Sequence, residues 1–339
     1  FVNALQAGTP AGGLVGETSG SASIQLSFEN CVNYGEVITF GVPSGEGNAH
    51  TGAGGILGEA LGVHSPDSTF TFKNCANHGY IHANEECGRV AGVGGIVGRG
   101  YSPAVLTIDG CINTADLDAP GTGWSAAGGI VGTLMTYGFA WSGTHDGKIK
   151  ILNCVNLGDL NAANAFAGGI VGAPFQFNTQ NSELYFENCA NYGAVTGKDL
   201  TAGITPYAGW YGLSGIIFKN CLNAGAVTST AGSASGIIAR INKLEEKTYS
   251  GTPNPTLIEG CVNIGTIISS GENGTASGIL GVVDTDDTTI KNCMNMGALT
   301  GIKASAYIMP EATNTVTAEG NVYFGEADDS MKYGSAADI

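Results

Sequence analysis

The residues of this chain best equipped for chemistry are its nine cysteines. Eight of them (Cys31, Cys75, Cys111, Cys154, Cys189, Cys221, Cys261 and Cys293) share one local context, and only Cys87 stands outside it. Such a set invites metal ligation, redox exchange or disulfide formation. Metal is disfavoured, because no Cys-x-x-Cys pair exists and tetrahedral coordination needs converging side chains rather than a parallel row. An alternative metal site is His78-Gly-Tyr-Ile-His82, followed by Glu85, Glu86 and Cys87, with both imidazoles on one strand face. Five scattered histidines produce such pairs easily, so the expectation is no metal and no cofactor. Asp284, Asp286 and Asp287 could bind Ca²⁺ but read as a solvated turn instead. Gly121-x-Gly123-x-x-Ala126 approaches a dinucleotide fingerprint, but the strand–loop–helix setting that would confirm it is missing.

What positions the cysteines is a repeat. Two residues after each of the eight comes Asn: Asn33, Asn77, Asn113, Asn156, Asn191, Asn223, Asn263 and Asn295. Two further on stands Gly, except at Ala115. Three before the Cys the residue is always Phe or Ile, from Phe28 to Ile290, and the next column is charged except at Leu152. That alternation marks a half-buried strand. Asn or Gly directly before each Cys marks a corner, since these residues enter the left-handed region most cheaply. A second strand is expected six residues after the Cys, on Val37, Ile81 and their equivalents, and a third on the Gly-Ile-Val-Gly segments such as Gly95–Gly98 and Gly129–Gly132.

Three short strands per unit, with Cys-to-Cys spacings of 32 to 44 residues, predict an all-β parallel β-helix of about nine triangular coils. Residues 1–339 form a single solenoid domain in this reading: regular coils to 302, then a degenerate last coil and polar tail over 303–339. Parallel side chains on rungs about 4.8 Å apart keep Cβ atoms further apart than the roughly 3.8 Å a disulfide wants, so the cysteines read as a ladder of buried thiols. The asparagines read as a ladder of amides bonding to one another and to turn backbone.

Composition fits and excludes. With 55 Gly and 43% hydrophobic residues the chain is too apolar for a disordered linker and too glycine-rich for long helices. The formal charge of −16 has the wrong sign for nucleic acid or anionic membranes, and no run of 18 apolar residues exists to insert in a bilayer.

The alternation of Gly-Leu/Ile-Val-Gly, as in Gly13–Gly16 and Gly169–Gly172, with Asn-Cys-x-Asn-x-Gly resembles the GLUG-motif repeats of microbial surface proteins and adhesins, over roughly residues 11 to 302. More loosely, Phe28-Glu-Asn30, Phe186-Glu-Asn188 and the Gly-Gly-Ile segments are similar to the repeats of polymorphic outer-membrane autotransporters. Both resemblances imply a parallel β-helix at a cell surface, used for adhesion or as a stalk.

Candidate binding residues lie outside the columns. Tyr137, Phe139 and Trp141 follow one Gly-Ile segment, Phe175 and Phe177 the next, and Tyr207, Trp210 and Tyr211 the third, so three successive coils send aromatics to one edge. Exposed, they would stack on sugar faces or meet a protein; otherwise they pin the loops to the rod. The expected function is a non-catalytic extracellular or cell-surface structural protein, adhesive or filament-forming. Its partner would be itself, end to end or laterally, or a host or cell-surface glycan or protein. Phe1-Val2-Asn3 imitates the Cys-Val-Asn of a repeat, and Gly320–Gly325 imitates a ninth copy without Cys, which fits end-to-end stacking. The alternative is a carbohydrate-binding or carbohydrate-active β-helix protein; catalysis is not expected, since no carboxylates visibly converge.

Overall fold

The computed structural model describes residues 2–4, 9–18, 24–40, 51–61, 68–83, 92–101, 105–121, 125–137, 147–177, 183–209, 215–241, 255–284, 287–310, 315–324 and 335–336. No helix occurs among them, and five short strands recur in each turn of the backbone. In one coil these are Thr69–Lys73 (the leading strand), Ala76–Asn77 (the Cys–Asn strand), Ile81–Ala83 (the third strand), Gly92–Gly94 (the Gly strand) and Val97–Tyr101 (the closing strand). Each pairs in parallel with its equivalents in adjacent coils. The leading, third and Gly strands make nine-stranded sheets, and the Cys–Asn strands a ten-stranded one. Register holds from coil to coil, so that Phe28, Phe72, Ile108, Ile151, Phe186 and Phe218 lie side by side. The molecule is a parallel β-solenoid.

The three expected strands per coil become five, for two local reasons. Asn30, Asn74, Asn153, Asn188, Asn220 and Asn292 have φ of 52 to 54°, and Gly110, Gly260 and Gly320 have φ of 63 to 65°. This left-handed residue turns the chain before each Cys and cuts a two-residue Cys–Asn strand away from the leading strand. The Gly-Ile pair is likewise a bend, not a strand: Gly55-Ile56 joins Gly52–Gly54 to Leu57–Leu61, with Ile56 fully buried. Ile in this column looks like strand sequence because its side chain fills the core.

Inside, two apolar clusters form. One holds Ile56, Leu57, Phe70, Phe72, Cys75 and their equivalents; the other, between the third and Gly strands, holds smaller residues such as Val37, Ala53, Ile81 and Ala83. Where the Gly-Ile bend meets the Asn column the backbones come close. A Cβ on Gly55 would sit 2.3 Å from the Gly95 carbonyl oxygen and 2.5 Å from Asn77 Oδ1, so no larger residue fits.

The Asn ladder is unbroken. Each Nδ2 donates to the next rung's Oδ1, from Asn33 to Asn77 at 2.8 Å through to Asn263 to Asn295 at 2.7 Å. The same nitrogens donate to the carbonyl two residues on, as Asn156 does to Gly158 at 2.8 Å. The eight described cysteines form no disulfide, and all but Cys31 are buried. Their thiols donate to carbonyls, as Cys189 Sγ does to Ile151 at 3.3 Å and to Glu187 at 3.5 Å. Burial holds the Cys154 and Cys221 thiols well above the ordinary range. The ninth copy departs from the pattern legibly. Pairing of Met294 with Val322 and Asn295 with Tyr323 puts Asn321 in the Cys column, where its Nδ2 donates to the Ile290 carbonyl at 2.9 Å.

Candidate functional site

The coils are constant on one side and variable on the other. From leading strand to third strand, residues 25–39, 69–83, 148–162, 183–197 and 215–229 are each fifteen residues long, with no insertion. All length variation falls after the third strand or after the closing strand. The aromatic candidates belong to the second of these places.

There the closing strands Val131–Tyr137 and Val171–Phe177 extend to seven residues and pair over their full length. Met135 lies opposite Phe175 and Tyr137 opposite Phe177, so four of the loop-edge positions are brought into adjacent register. Tyr207, on Thr205–Ala208, is only 4% exposed and pairs in register with Arg240. Its ring is part of the packed interior rather than an open platform. Phe139, Trp141, Trp210 and Tyr211 lie outside the described residues.

The two closing strands that precede this edge along the rod carry a buried ion pair that no column pattern signals. Arg99 Nη1 donates to Glu59 Oε1 at 2.6 Å, with both side chains at most 3% exposed. Glu17 is the register neighbour of Glu59 on its other side. Burial raises the Glu59 carboxyl to about 7 against the opposing pull of the Arg99 guanidinium, and Glu17 adds to the rise.

The third-strand sheet carries a shallow cavity of about 350 Å³ lined by Tyr80, Asp116, Asp118, Asp159, Asn161 and Thr196 among others. Its carboxylates are engaged in bonds between rungs. Asp116 Oδ1 accepts the Asp159 N–H at 2.9 Å, Asp159 Oδ1 accepts the Ala194 N–H at 2.7 Å, and Asp118 Oδ1 accepts from Asn161 Nδ2 at 3.1 Å. Burial, and then Asp118, raise the Tyr80 hydroxyl above the usual phenol range. These acids sit five and seven residues after the Cys, a spacing readable in the sequence once those columns are compared.

The two histidines are not brought together around a common point. His78 lies at the bend after the Cys–Asn strand, its ring stacked on Tyr34 and its Nδ1 2.7 Å from Thr114 Oγ1. His82 lies on the third strand, stacked on Tyr80, with Nδ1 3.4 Å from Asp118 Oδ2. Glu85, Glu86 and Cys87 lie outside the described residues. Among the described residues no group of three His, Cys, Asp or Glu is placed to hold a metal ion. Asp284 is engaged by Arg240 at 2.6 Å, and Asp287 turns the chain at φ 62°.

The Cys–Asn sheet also has an outer face. Cys and Asn point inward, so the residues one and three after each Cys point out. The first outer column begins Val32, Ala76, Ile112, Val155 and Ala190; the second begins Tyr34, His78, Thr114, Leu157 and Tyr192. Backbone bonds stack them rung on rung, as from Leu157 N–H to Asn113 O at 2.8 Å and from Tyr192 N–H to Asn156 O at 2.8 Å.

Against protein-family models, curated proteins and solved structures alike, the chain finds no match.

Proposed function

We propose that the chain is a non-catalytic structural repeat protein of the cell exterior, a solenoid rod that stiffens an adhesin or stalk and carries contact loops along one edge. The observation that carries this reading is the use of the repeated polar column: every Asn from Asn33 to Asn263 donates to its neighbour in the ladder, leaving that column to hold coils together. Asp116 and Asp159, which line the shallow cavity on the third-strand sheet, each spend an oxygen on a backbone N–H of the following coil. The resemblance to GLUG-type repeats supports a surface location, and buried reduced thiols are compatible with it, since oxidants reach buried sulfur poorly.

A second reading has its own support. Tyr137 and Phe177 share one register position on the loop edge, the arrangement a glycan-stacking surface needs, which favours a carbohydrate-binding protein of the same fold. Incubating the full chain with a panel of polysaccharides and measuring both retention and product release tests the two. Binding or no binding without turnover is expected. Turnover that disappears in Asp159→Asn would overturn the non-catalytic reading.

A further inference from the structure

The loop-free side of the rod ends on an apolar stripe. In the two outer columns of the Cys–Asn sheet, sixteen of eighteen residues are Val, Ala, Ile, Leu, Met, Tyr or Phe, the exceptions being His78 and Thr114. Among the described residues nine large hydrophobic side chains are exposed, and six of them lie on this stripe: Val32, Tyr34, Leu157, Tyr192, Ile264 and Met296, at 41 to 77%. An outward column of a solenoid normally carries polar residues, as the leading strands do here, so an apolar stripe along all nine rungs marks a contact surface.

We propose that this stripe is the interface of an antiparallel homodimer, in which two copies of the chain lie face to face with the first rung of one against the eighth of the other. The proposal rests on the reading of the chain as a structural rod. Its size fits: sixteen stripe residues on the eight opposed rungs plus the flanking columns reach the roughly 20–30 residues per side of a stable interface. Its pitch selects the partner. Side chains repeating about every 4.8 Å interdigitate throughout only with an array of the same spacing, whereas a helix of about 5.4 Å pitch drifts by about one rung over nine. A second copy is commensurate by construction.

Charge selects the direction. The column two residues before the Cys flanks the stripe on one side and alternates in sign along most of its length. In the antiparallel arrangement this column faces itself in reverse order, so Glu29 meets Lys291, Lys73 meets Glu259 and Asp109 meets Lys219. The other flank, five residues after the Cys, is acidic only in its first half. Reversal sets Glu36 against Ala298, Asp116 against Ala226 and Asp159 against Ala194, so no like charges meet. A parallel pair related by a two-fold axis would instead oppose the two flanks, Glu29 to Glu36 and Asp109 to Asp116, and repel.

Sedimentation velocity of the full chain over a concentration series reads the oligomeric state. A dimer is expected, converted to monomer by Leu157→Glu or Tyr192→Glu without loss of the circular-dichroism melt, since both side chains are about half exposed. Lys219→Glu should weaken the dimer about tenfold, and adding Asp109→Lys should restore it, because both pairs are then opposite again. A photo-crosslinking residue at position 157 should capture the segment around Tyr192 of the second copy. A wild-type monomer at all concentrations, a dimer indifferent to Leu157→Glu, or a 157-to-157 crosslink would each overturn the proposal. So would capture of the monomer by lipid vesicles through the same stripe. Polysaccharide turnover would sink the structural-rod reading and leave the dimer standing, whereas a monomeric, non-catalytic rod would do the reverse.

Discussion

The two sides of this solenoid obey different rules. From leading strand to third strand, the first eight coils repeat the same length, the same Cys and the same Asn. Across the Gly and closing strands the frame persists but the loops vary, and the closing-strand column runs Glu17, Glu59, Arg99, Thr133 and Ala173 without pattern. The uniform side holds the coils in register through one continuous amide ladder; the other side is where the coils differ in length. Stability and variation are thereby separated in the cross-section, a division available to quasi-one-dimensional folds in which each repeat meets only its neighbours.

The two sides depend on each other most where they touch. Gly129 lies on the bend of the variable side, yet a Cβ there would be 2.1 Å from the Gly169 carbonyl oxygen and 2.4 Å from Asn156 Cγ. Gly129→Val should therefore cost at least about 3 kcal/mol, because neither the backbone nor the ladder has room to yield. Ala226→Val, on an exposed column, is the control and should melt like the wild type. Thermal unfolding followed by circular dichroism compares them, and equal melts would show that the bend and the ladder are not in contact.

A weaker break comes from the ladder alone. Asn156→Leu removes the acceptor of Asn113 and the donor to both Asn191 and Gly158. Each buried polar group so orphaned costs on the order of 1–3 kcal/mol, so the melt should fall clearly. An unchanged melt would mean the amides contribute nothing net.

The variable side has its own pH-dependent element. The folded Glu59 carboxyl titrates at about 7 against an ordinary 4.5. A raised acid favours the folded state while protonated, so its stabilisation is complete below about pH 4.5 and is lost as pH rises through 7. The difference of about 2.5 units corresponds to about 3 kcal/mol. Glu59→Gln should flatten the fall in melting temperature between pH 5 and 7.5, to be read in a pH series of melts. A variant as steep as the wild type would assign the slope to other groups.

Legibility followed the same division. Phe28, Cys31 and Asn33 with their equivalents disclosed the leading strand, the corner and the rung pairing, because one residue type recurs at each position and parallel stacking demands like on like. The strand count was not legible: a two-residue strand such as Val32–Asn33 has no alternation to detect, and buried Ile56 in a bend imitates strand sequence. The Glu59–Arg99 pair was hidden because it joins two coils through a column whose members differ. The outward stripe was visible in the two unnamed positions of Cys-x-Asn-x-Gly, which draw no attention until the fold shows them facing solvent.

The smallest effect on stability, and the sharpest test of the division, belongs to the loop aromatics. If loops on the variable side contact a partner rather than supporting the rod, Trp141→Ala and Trp210→Ala should leave the melt within about 0.5 kcal/mol of the wild type while lowering retention on whichever polysaccharide binds. A fall in melting temperature comparable to that of Asn156→Leu would place these rings in the scaffold. The variable side would then serve the same end as the uniform one, and the contact surface of the rod would be the apolar stripe.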